Sequence, residues 1–158
     1  HKNAILTDPK QAKDFVTKTN CDSLAISIGT AHGINKGLKQ PKIYYDVINN
    51  VKQELGQNFP LVAHGSSSVP ALLVKNINKF GGNITKSQGI STQDLAKMSK
   101  SGINKINIDT DLRLAFTSGL REFLQTNPEV FDPRKILNSA KQAVKTQISS
   151  LINLISKN

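Results

Sequence analysis

Short apolar runs alternate along the chain with longer segments in which hydrophobic residues recur every three or four positions. The runs at 24–28, 61–63 and 103–108 are predicted to be strands, and the first is typical of a strand buried on both faces. The segments between them have the periodicity of amphipathic helices. Helices are predicted over 8–16, 46–55, 70–80, 92–101, 110–123 and after Pro133.

The helix ends have residues suited to them. Asp8 and Pro9 open the first helix, because a proline in the first turn lacks only an N–H that is unpaired there anyway. Thr110 or Asp111 is expected to cap the helix that follows the third strand. The last helix carries a stripe that is expected to be core or interface: Leu137, Ala140, Val144, Ile148, Leu151 and Ile155.

Strand, loop and helix follow one another three times, an order that implies a parallel α/β sheet. All three strands end in polar loops, and in a barrel of eight such units the active site lies at that end of the strands. Three strands are too few to close a barrel. The chain is therefore either an open sheet or part of a larger structure.

Composition narrows the class of protein only a little. The chain has 158 residues with no apolar run of the ~18 residues that a membrane span needs. Its one cysteine, Cys21, excludes internal disulfides, suits a reducing cytoplasm and is expected to be a buried structural thiol. The net charge of +10 attracts nucleic acid, acidic membranes or phosphorylated small molecules. The scattered lysines and 5% aromatic content argue against a stacking platform for single strands.

Two histidines follow predicted strands. Neutral imidazole is the commonest metal ligand, so His32 and His64 could meet at one ion on the same rim. A catalytic zinc takes about three protein ligands, which leaves this chain at least one short. The spacing alone favours two unrelated surface histidines, because a two-histidine pair is not a zinc signature.

Other residues of these loops suit an anion. Gly33 and Gly65 directly follow the histidines and let backbone N–H groups approach a phosphate, while Ser67 could donate its hydroxyl and Lys36 adds positive charge. The alternative is that all four are ordinary turn residues.

The third loop adds polar groups at a helix start. Alternation puts Asn107 and Asp109 on one face, where both could bind one polar ligand. The helix N-terminus near Thr110 favours a phosphate, and Arg113 one turn later could reach the same anion. Arg113 could also be a solvated helix residue.

Together, these loops resemble the class II, zinc-dependent fructose-1,6-bisphosphate aldolases. The matching segments, in the same order and with similar spacing, are TDP (7–9) continued by DSLAISIGTAHG (22–33), then PLVAHGSSSVP (60–70), KINIDTDLRLAF (105–116) and FDPRK (131–135). Ala31 departs from the Ser of many members, and Ser66 from their Gly or Ala. One such segment is weak evidence, whereas four in register are specific.

The resemblance implies a TIM (β/α)8 barrel about twice this length. Residues 1–158 are then the C-terminal portion of a single barrel domain, with about three parallel strands, their helices and a C-terminal helix. The N-terminal half, absent from this chain, is expected to hold the first zinc histidine and the aspartate that moves protons. No catalytic acid or base is therefore assigned here.

The resemblance also implies roles for individual residues. It assigns His32 and His64 to zinc, and Asn107, Asp109 and Thr110 to the dihydroxyacetone-phosphate portion of the substrate. It assigns Gly33, Lys36, Gly65 and Ser67 to one phosphate or its surroundings and Arg113 to the other phosphate.

The implied activity is that of an aldehyde-lyase of glycolysis and gluconeogenesis. Zinc acts as a Lewis acid in the aldol cleavage of fructose 1,6-bisphosphate to dihydroxyacetone phosphate and glyceraldehyde 3-phosphate, without a lysine Schiff base. A monovalent cation beside the zinc, or another divalent ion such as cobalt in its place, remains open. The expected partners are the sugar bisphosphate, the missing half and further copies in a dimer or tetramer, with no nucleic acid and no membrane.

Three other functions stay open at this stage. The chain could act on tagatose 1,6-bisphosphate or another ketose phosphate, although Asp109 and Arg113 favour the fructose compound. It could be a basic module that binds nucleic acid. It could also be a half-barrel remnant that is kept for assembly and shows no turnover.

Overall fold

The computed structural model describes residues 5–34 and 41–156, and they form an α/β structure. Six helices and three strands lie within these residues. In chain order they are α1 Pro9–Thr19, β1 Leu24–Ile26, α2 Tyr45–Leu55, β2 Leu61–Ala63, α3 Ala71–Lys79, α4 Thr92–Ser99, β3 Lys105–Ile106, α5 Thr110–Thr126 and α6 Pro133–Ser156. The predicted α/β class, with three strands and a C-terminal helix, is confirmed.

The three strands form one parallel sheet in the order β1-β2-β3. Leu24 pairs with Leu61, and Val62 pairs with Lys105. Helices connect successive strands, so the carboxyl ends of all three strands lie at one edge of the sheet. This arrangement agrees with the arc of a β/α barrel that the resemblance implies.

Two strands are shorter than the apolar runs that predicted them. β1 ends at Ile26, because the carbonyl of Ile28 accepts from the N–H of Tyr44 in a loop, at 2.9 Å, and is not part of the ladder. β3 covers only Lys105–Ile106, although the N–H of Asn107 still donates to the Ala63 carbonyl at 2.9 Å. The predicted run of 103–108 therefore includes residues that flank the strand.

The main core lies between the sheet and helices α1, α2, α4 and α6. It is apolar throughout and includes, with little or no exposure, Ile28, Ile48, Val51, Leu61, Leu95, Met98 and Leu151. A second cluster of Val69, Val74, Ile77 and Leu114 joins α3 to α5. Both clusters lie next to the loops that carry the predicted site residues.

The stripe on α6 is only partly buried. Ala140 and Leu151 are buried, whereas Leu137 and Ile148 are exposed. The prediction that the stripe is core or interface is therefore confirmed, as core, for its buried residues. Cys21, predicted to be buried, is only half-buried, because it lies in the short loop between α1 and β1. None of the described helices is long and apolar enough to cross a membrane.

The start of α1 agrees with the prediction. The Asp8 carboxylate accepts a hydrogen bond from the N–H of Gln11 at 2.8 Å, and Pro9 occupies the first turn. This local cap satisfies one of the N–H groups that a helix leaves unpaired at its start.

The start of α5 differs from the prediction. Neither Thr110 nor Asp111 caps the helix with its side chain; the residue before the helix is Asp109, which makes no side-chain cap either. Instead, the hydroxyl oxygen of Ser67, from the loop after β2, accepts from the N–H groups of Asp109 and Thr110 at 3.3 and 3.1 Å. A residue about forty positions earlier therefore performs the capping.

Asp111 makes the reciprocal contact. Its carboxylate has no exposed surface and accepts from the N–H and hydroxyl of Ser68, both at 2.9 Å, and from the N–H of Val69 at 2.7 Å. These bonds hold Val69 at a φ of 52°, a value that a β-branched residue rarely adopts. We call Ser67, Ser68, Val69 and Asp111 the loop–helix clamp.

A buried lysine fastens the opposite end of the sheet. Lys52 of α2 is only 4% exposed, and its ammonium donates to the carbonyls of Gln57 and Phe59 at 2.9 and 2.7 Å and to the side-chain oxygen of Asn104 at 3.1 Å. The same Asn104 oxygen accepts from the N–H of Leu61. Burial lowers the pKa of Lys52 below its usual value.

Tyr45 links two helices of the outer layer. Its hydroxyl donates to the Asp94 carboxylate at 2.9 Å, which joins α2 to α4, and the Lys97 ammonium lies 4.0 Å from the ring centroid. Burial, and then the hydrogen bond and charge of Asp94, raise the pKa of Tyr45 above its usual range.

The clamp predicts the cost of removing its carboxylate. Asp111→Ala leaves buried donors at Ser68 and Val69 without an acceptor, so we expect the free energy of unfolding to fall by about 3 kcal/mol or more. Urea denaturation measures this loss. Asp14→Ala is the matched control, because Asp14 forms an exposed pair with Lys18 and its removal is expected to cost less than about 0.5 kcal/mol. Equal losses in the two variants would contradict the structural role of the clamp.

Tyr45 predicts a weakening of the fold at alkaline pH. A tyrosine whose pKa is higher in the folded state contributes stability below its unfolded pKa, near 10, and loses that contribution as pH rises through the folded value. Above pH ~10, the free energy of unfolding should therefore fall more steeply in the wild type than in Tyr45→Phe, by at most about 1.4 kcal/mol per pH unit. Tyr44→Phe controls for the loss of a tyrosine as such. Parallel curves for wild type and Tyr45→Phe would contradict the prediction.

Candidate functional site

Three loops meet at the carboxyl edge of the sheet and line one open cleft of about 960 Å³. Because the strands are parallel, each loop begins at the same edge. Every predicted site residue within the described residues lines this cleft: His32, Gly33, His64, Gly65, Ser67, Asn107, Asp109, Thr110 and Arg113. Lys36 lies outside the described residues.

The two histidines face each other across the first two loops. Their ring centroids are 5.6 Å apart and the rings are tilted by 48°. His32 is exposed, whereas His64 is half-buried. The side-chain amide of Asn107 lies 3.3 Å from Nδ1 and 3.5 Å from Nε2 of His64, so it supports that ring from the third loop.

The separation of the two rings fits a shared metal ion. An ion about 2.1 Å from one nitrogen of each ring, with a tetrahedral angle between them, places the ring centroids roughly 5 Å apart. Imidazole nitrogens also suit zinc and similar divalent ions. Within residues 5–34 and 41–156, no group of three His, Cys, Asp or Glu side chains could hold a metal. The pair is therefore compatible with zinc but needs a further ligand.

The first two loops touch through their backbones at Gly65. Gly65 is buried with a φ of 63°, and a Cβ placed there would lie 2.6 Å from the carbonyl oxygen of Ala31. A side chain would push the two loops apart, which explains the glycine directly after His64. The approach of the loops brings the histidines within reach of one ion.

Ser67 lies in the floor of the cleft, where its hydroxyl oxygen caps α5. Its hydroxyl oxygen accepts two N–H groups from the start of α5, and its own hydrogen remains available to donate. The side chain is buried, so it can donate only to a group that enters the cleft or to a neighbour in its floor. The expected donation to an anion is compatible with this geometry.

Asp109 and Arg113 form an ion pair at the mouth of the cleft. The guanidinium Nε lies 2.9 Å from both carboxylate oxygens of Asp109, and both side chains are largely exposed. The hydrogen bond to Asp109 raises the pKa of Arg113 above its usual value. Asn107 and Asp109 line the same cleft, as the alternation of the strand predicted, but Asp109 is engaged with Arg113 rather than with Asn107.

Several residues that line the cleft were not identified from the sequence. Thr117 lines it one turn beyond Arg113 on α5, and Ile34 and Ile84 supply apolar wall. Helical spacing from Thr110 and Arg113 could have identified Thr117. Ile84 follows α3 in a loop with no distinctive motif, so nothing in the sequence indicated it.

Comparisons with known proteins identify the family of the chain. A family model described as class-II fructose-bisphosphate aldolase matches residues 1–158. A fructose-bisphosphate aldolase of Thermus caldophilus is 44% identical over 97% of this chain and 50% of its own length. One of Stutzerimonas stutzeri is 46% identical over 89% of this chain and 40% of its own length.

A solved structure has the same arrangement of strands and helices. The YdjI aldolase of Escherichia coli K12 superposes with a TM-score of 0.66 and 29% identity, over 96% of this chain and 46% of that one. The chain spans about half the length of the curated relatives it matches. The match of the family model to the whole chain shows that the chain belongs to the class II fructose-bisphosphate aldolase family.

Proposed function

We propose that this chain is the C-terminal part of a barrel that catalyses the aldol cleavage of fructose 1,6-bisphosphate, and the reverse condensation. The observation that carries the proposal is the match of the class II family model to all 158 residues, with both histidines on one cleft. Relatives named fructose-bisphosphate aldolase, at 44% and 46% identity, support this substrate over other ketose phosphates.

In this proposal, His32 and His64 hold a divalent ion, preferably zinc. A bound zinc ion supplies a Lewis acid that polarises the ketone carbonyl of the substrate. The 5.6 Å separation of the rings supports a shared ion, and the amide of Asn107 restrains the His64 ring. The third ligand and the acid or base that moves protons come from the part of the barrel that this chain lacks.

The remaining residues of the cleft bind and orient the substrate. The backbone at Gly33 and Gly65 and the hydroxyl of Ser67 receive one phosphate, with Lys36 as a predicted further contact. Asn107, Asp109 and Thr110 hold the dihydroxyacetone-phosphate portion. Arg113 binds the other phosphate, because its exposed guanidinium at the mouth of the cleft offers bidentate hydrogen bonds.

The missing half of the barrel is the first partner. Among the described residues, no further strand pairs with the outer sides of β1 and β3, and such edges are normally paired or covered. We propose that the strands of the other half pair with these edges, and that the complete protein is a cytoplasmic dimer or tetramer.

Zinc and ligand binding test the proposed function directly. We expect the chain to bind Zn²⁺, and to bind dihydroxyacetone phosphate only when the metal is present. His32→Ala and His64→Ala should each weaken Zn²⁺ binding by more than about 100-fold, because even residues that merely support a metal ligand contribute 10- to 100-fold. Calorimetric titration measures both ligands, and His1→Ala is the control for loss of a histidine.

Cleavage of fructose 1,6-bisphosphate completes this test. Turnover is expected once the rest of the barrel is supplied, and a zinc chelator should abolish it. Zinc binding that is unchanged in both histidine variants, or dihydroxyacetone phosphate binding without any metal, contradicts the proposed site.

Arg113 gives a second test of the site. Arg113→Ala removes charge-assisted hydrogen bonds to a phosphate, so we expect the dissociation constant of fructose 1,6-bisphosphate to rise by about tenfold or more. Arg121→Ala is the matched control, because Arg121 lies two turns further along α5 and donates to the Phe80 carbonyl outside the cleft. The same loss of affinity in both variants would indicate a general effect of net charge and contradict the role of Arg113.

A further inference from the structure

The backbone carbonyl of His64 accepts two side-chain hydroxyl groups. Thr30, from the loop after β1, donates at 2.5 Å, and Ser66 donates from within the same loop at 3.3 Å. His64 is the first residue beyond β2, whose last residue, Ala63, still accepts from the third loop. The two hydroxyls therefore bind the chain where it leaves the sheet and turns into the cleft.

A carbonyl in this half-buried position needs a partner, and the choice of partner determines the plane of the peptide. Ser66 has no exposed surface, so its hydroxyl competes little with water for this acceptor. The Ser66 hydroxyl therefore adds a second, buried donor to the same carbonyl.

Thr30 connects the two histidines. It lies two residues before His32, and its hydroxyl binds the backbone of His64, so one hydrogen bond joins the loops that carry both imidazoles. Thr30, His32 and His64 also line a common hollow of about 390 Å³. The close approach of Gly65 to Ala31 lies beside this bond and keeps the loops in contact.

We propose that Thr30 and Ser66 are positioning residues that set the distance and tilt between the two imidazoles and thereby the affinity for the metal. The proposal rests on the proposed function, in which these histidines share a metal ion. Neither hydroxyl contacts the ion; both act through the peptide that follows the His64 Cα. Metal affinity is sensitive to such support, because a ligand that is misplaced by about 0.5 Å binds less well.

Thr30→Val tests the inference, because valine keeps the shape of threonine and removes the hydroxyl. With Zn²⁺ alone as the probe, we expect the dissociation constant of the full chain to rise about tenfold, and Thr30→Ser to restore it to within about twofold. Ser66→Ala should have a smaller effect, because its hydrogen bond is longer. Co²⁺ in place of Zn²⁺ adds a spectroscopic reading, and its visible absorption bands should shift in Thr30→Val.

Thr7→Val is the matched control. The Thr7 hydroxyl oxygen accepts from the N–H of Ser27 at 2.8 Å, so its loss affects the same loop region without contacting His64. We expect Thr7→Val to lower stability in urea but to leave the Zn²⁺ affinity and the Co²⁺ spectrum unchanged.

The results separate this inference from the proposed function. If Zn²⁺ binding depends on His32 and His64 but is unchanged in Thr30→Val, the positioning role is overturned and the metal site stands. Equal weakening in Thr30→Val and Thr7→Val also overturns it, since general loss of stability then explains both. If the wild-type chain binds no Zn²⁺, or binds it without either histidine, the proposed metal site is contradicted. The positioning role, which rests on that site, is then overturned with it.

Discussion

The shape of the cleft depends on one buried carboxylate. Asp111 binds the backbone of Ser68 and Val69, and Ser67 in return binds the first N–H groups of α5. Because the bonds run in both directions, they fix the loop after β2 against the start of the helix after β3. His64 and Gly65 begin that loop, and Thr110 and Arg113 lie on that helix. The relative positions of His64 and Arg113 therefore follow from this carboxylate.

The other end of the sheet is fastened in a similar way but has no part in the site. The Lys52 ammonium donates to residues that lie just before β2 and β3. Each of its three protons has an acceptor there. A buried charge with this many partners restrains the segments around it, whereas the same charge without them would be strongly destabilising. The strands are thus held at both ends, and the cleft with the predicted site residues lies at the carboxyl edge.

The sequence predicted whatever depended on local pattern. The Asp8 cap, the parallel α/β order and the position of both histidines at strand ends follow from periodicity and from neighbours a few residues apart. The prediction of the α5 cap was wrong, because the capping residue, Ser67, lies about forty positions earlier and propensities describe only nearby residues. Strand lengths were overestimated, since an apolar run continues into buried loops. The hydrogen bond from Thr30 to the His64 carbonyl was not predicted either, because the two residues are also far apart in the sequence.

The exposed pair of Arg113 and Asp109 gives the proposed phosphate site an internal competitor. In the free chain, the Nε–H of the guanidinium is already shared between both oxygens of the Asp109 carboxylate, so an incoming anion has to replace one negative partner with another. An exposed pair of this kind is held only weakly, because water also solvates both charges. A doubly charged phosphate can displace the carboxylate, whereas another carboxylate or a chloride ion gains almost nothing by exchange. If Arg113 binds a phosphate as proposed, the pair selects among anions, because Asp109 shields the arginine from weakly bound anions and gives way to phosphorylated ligands.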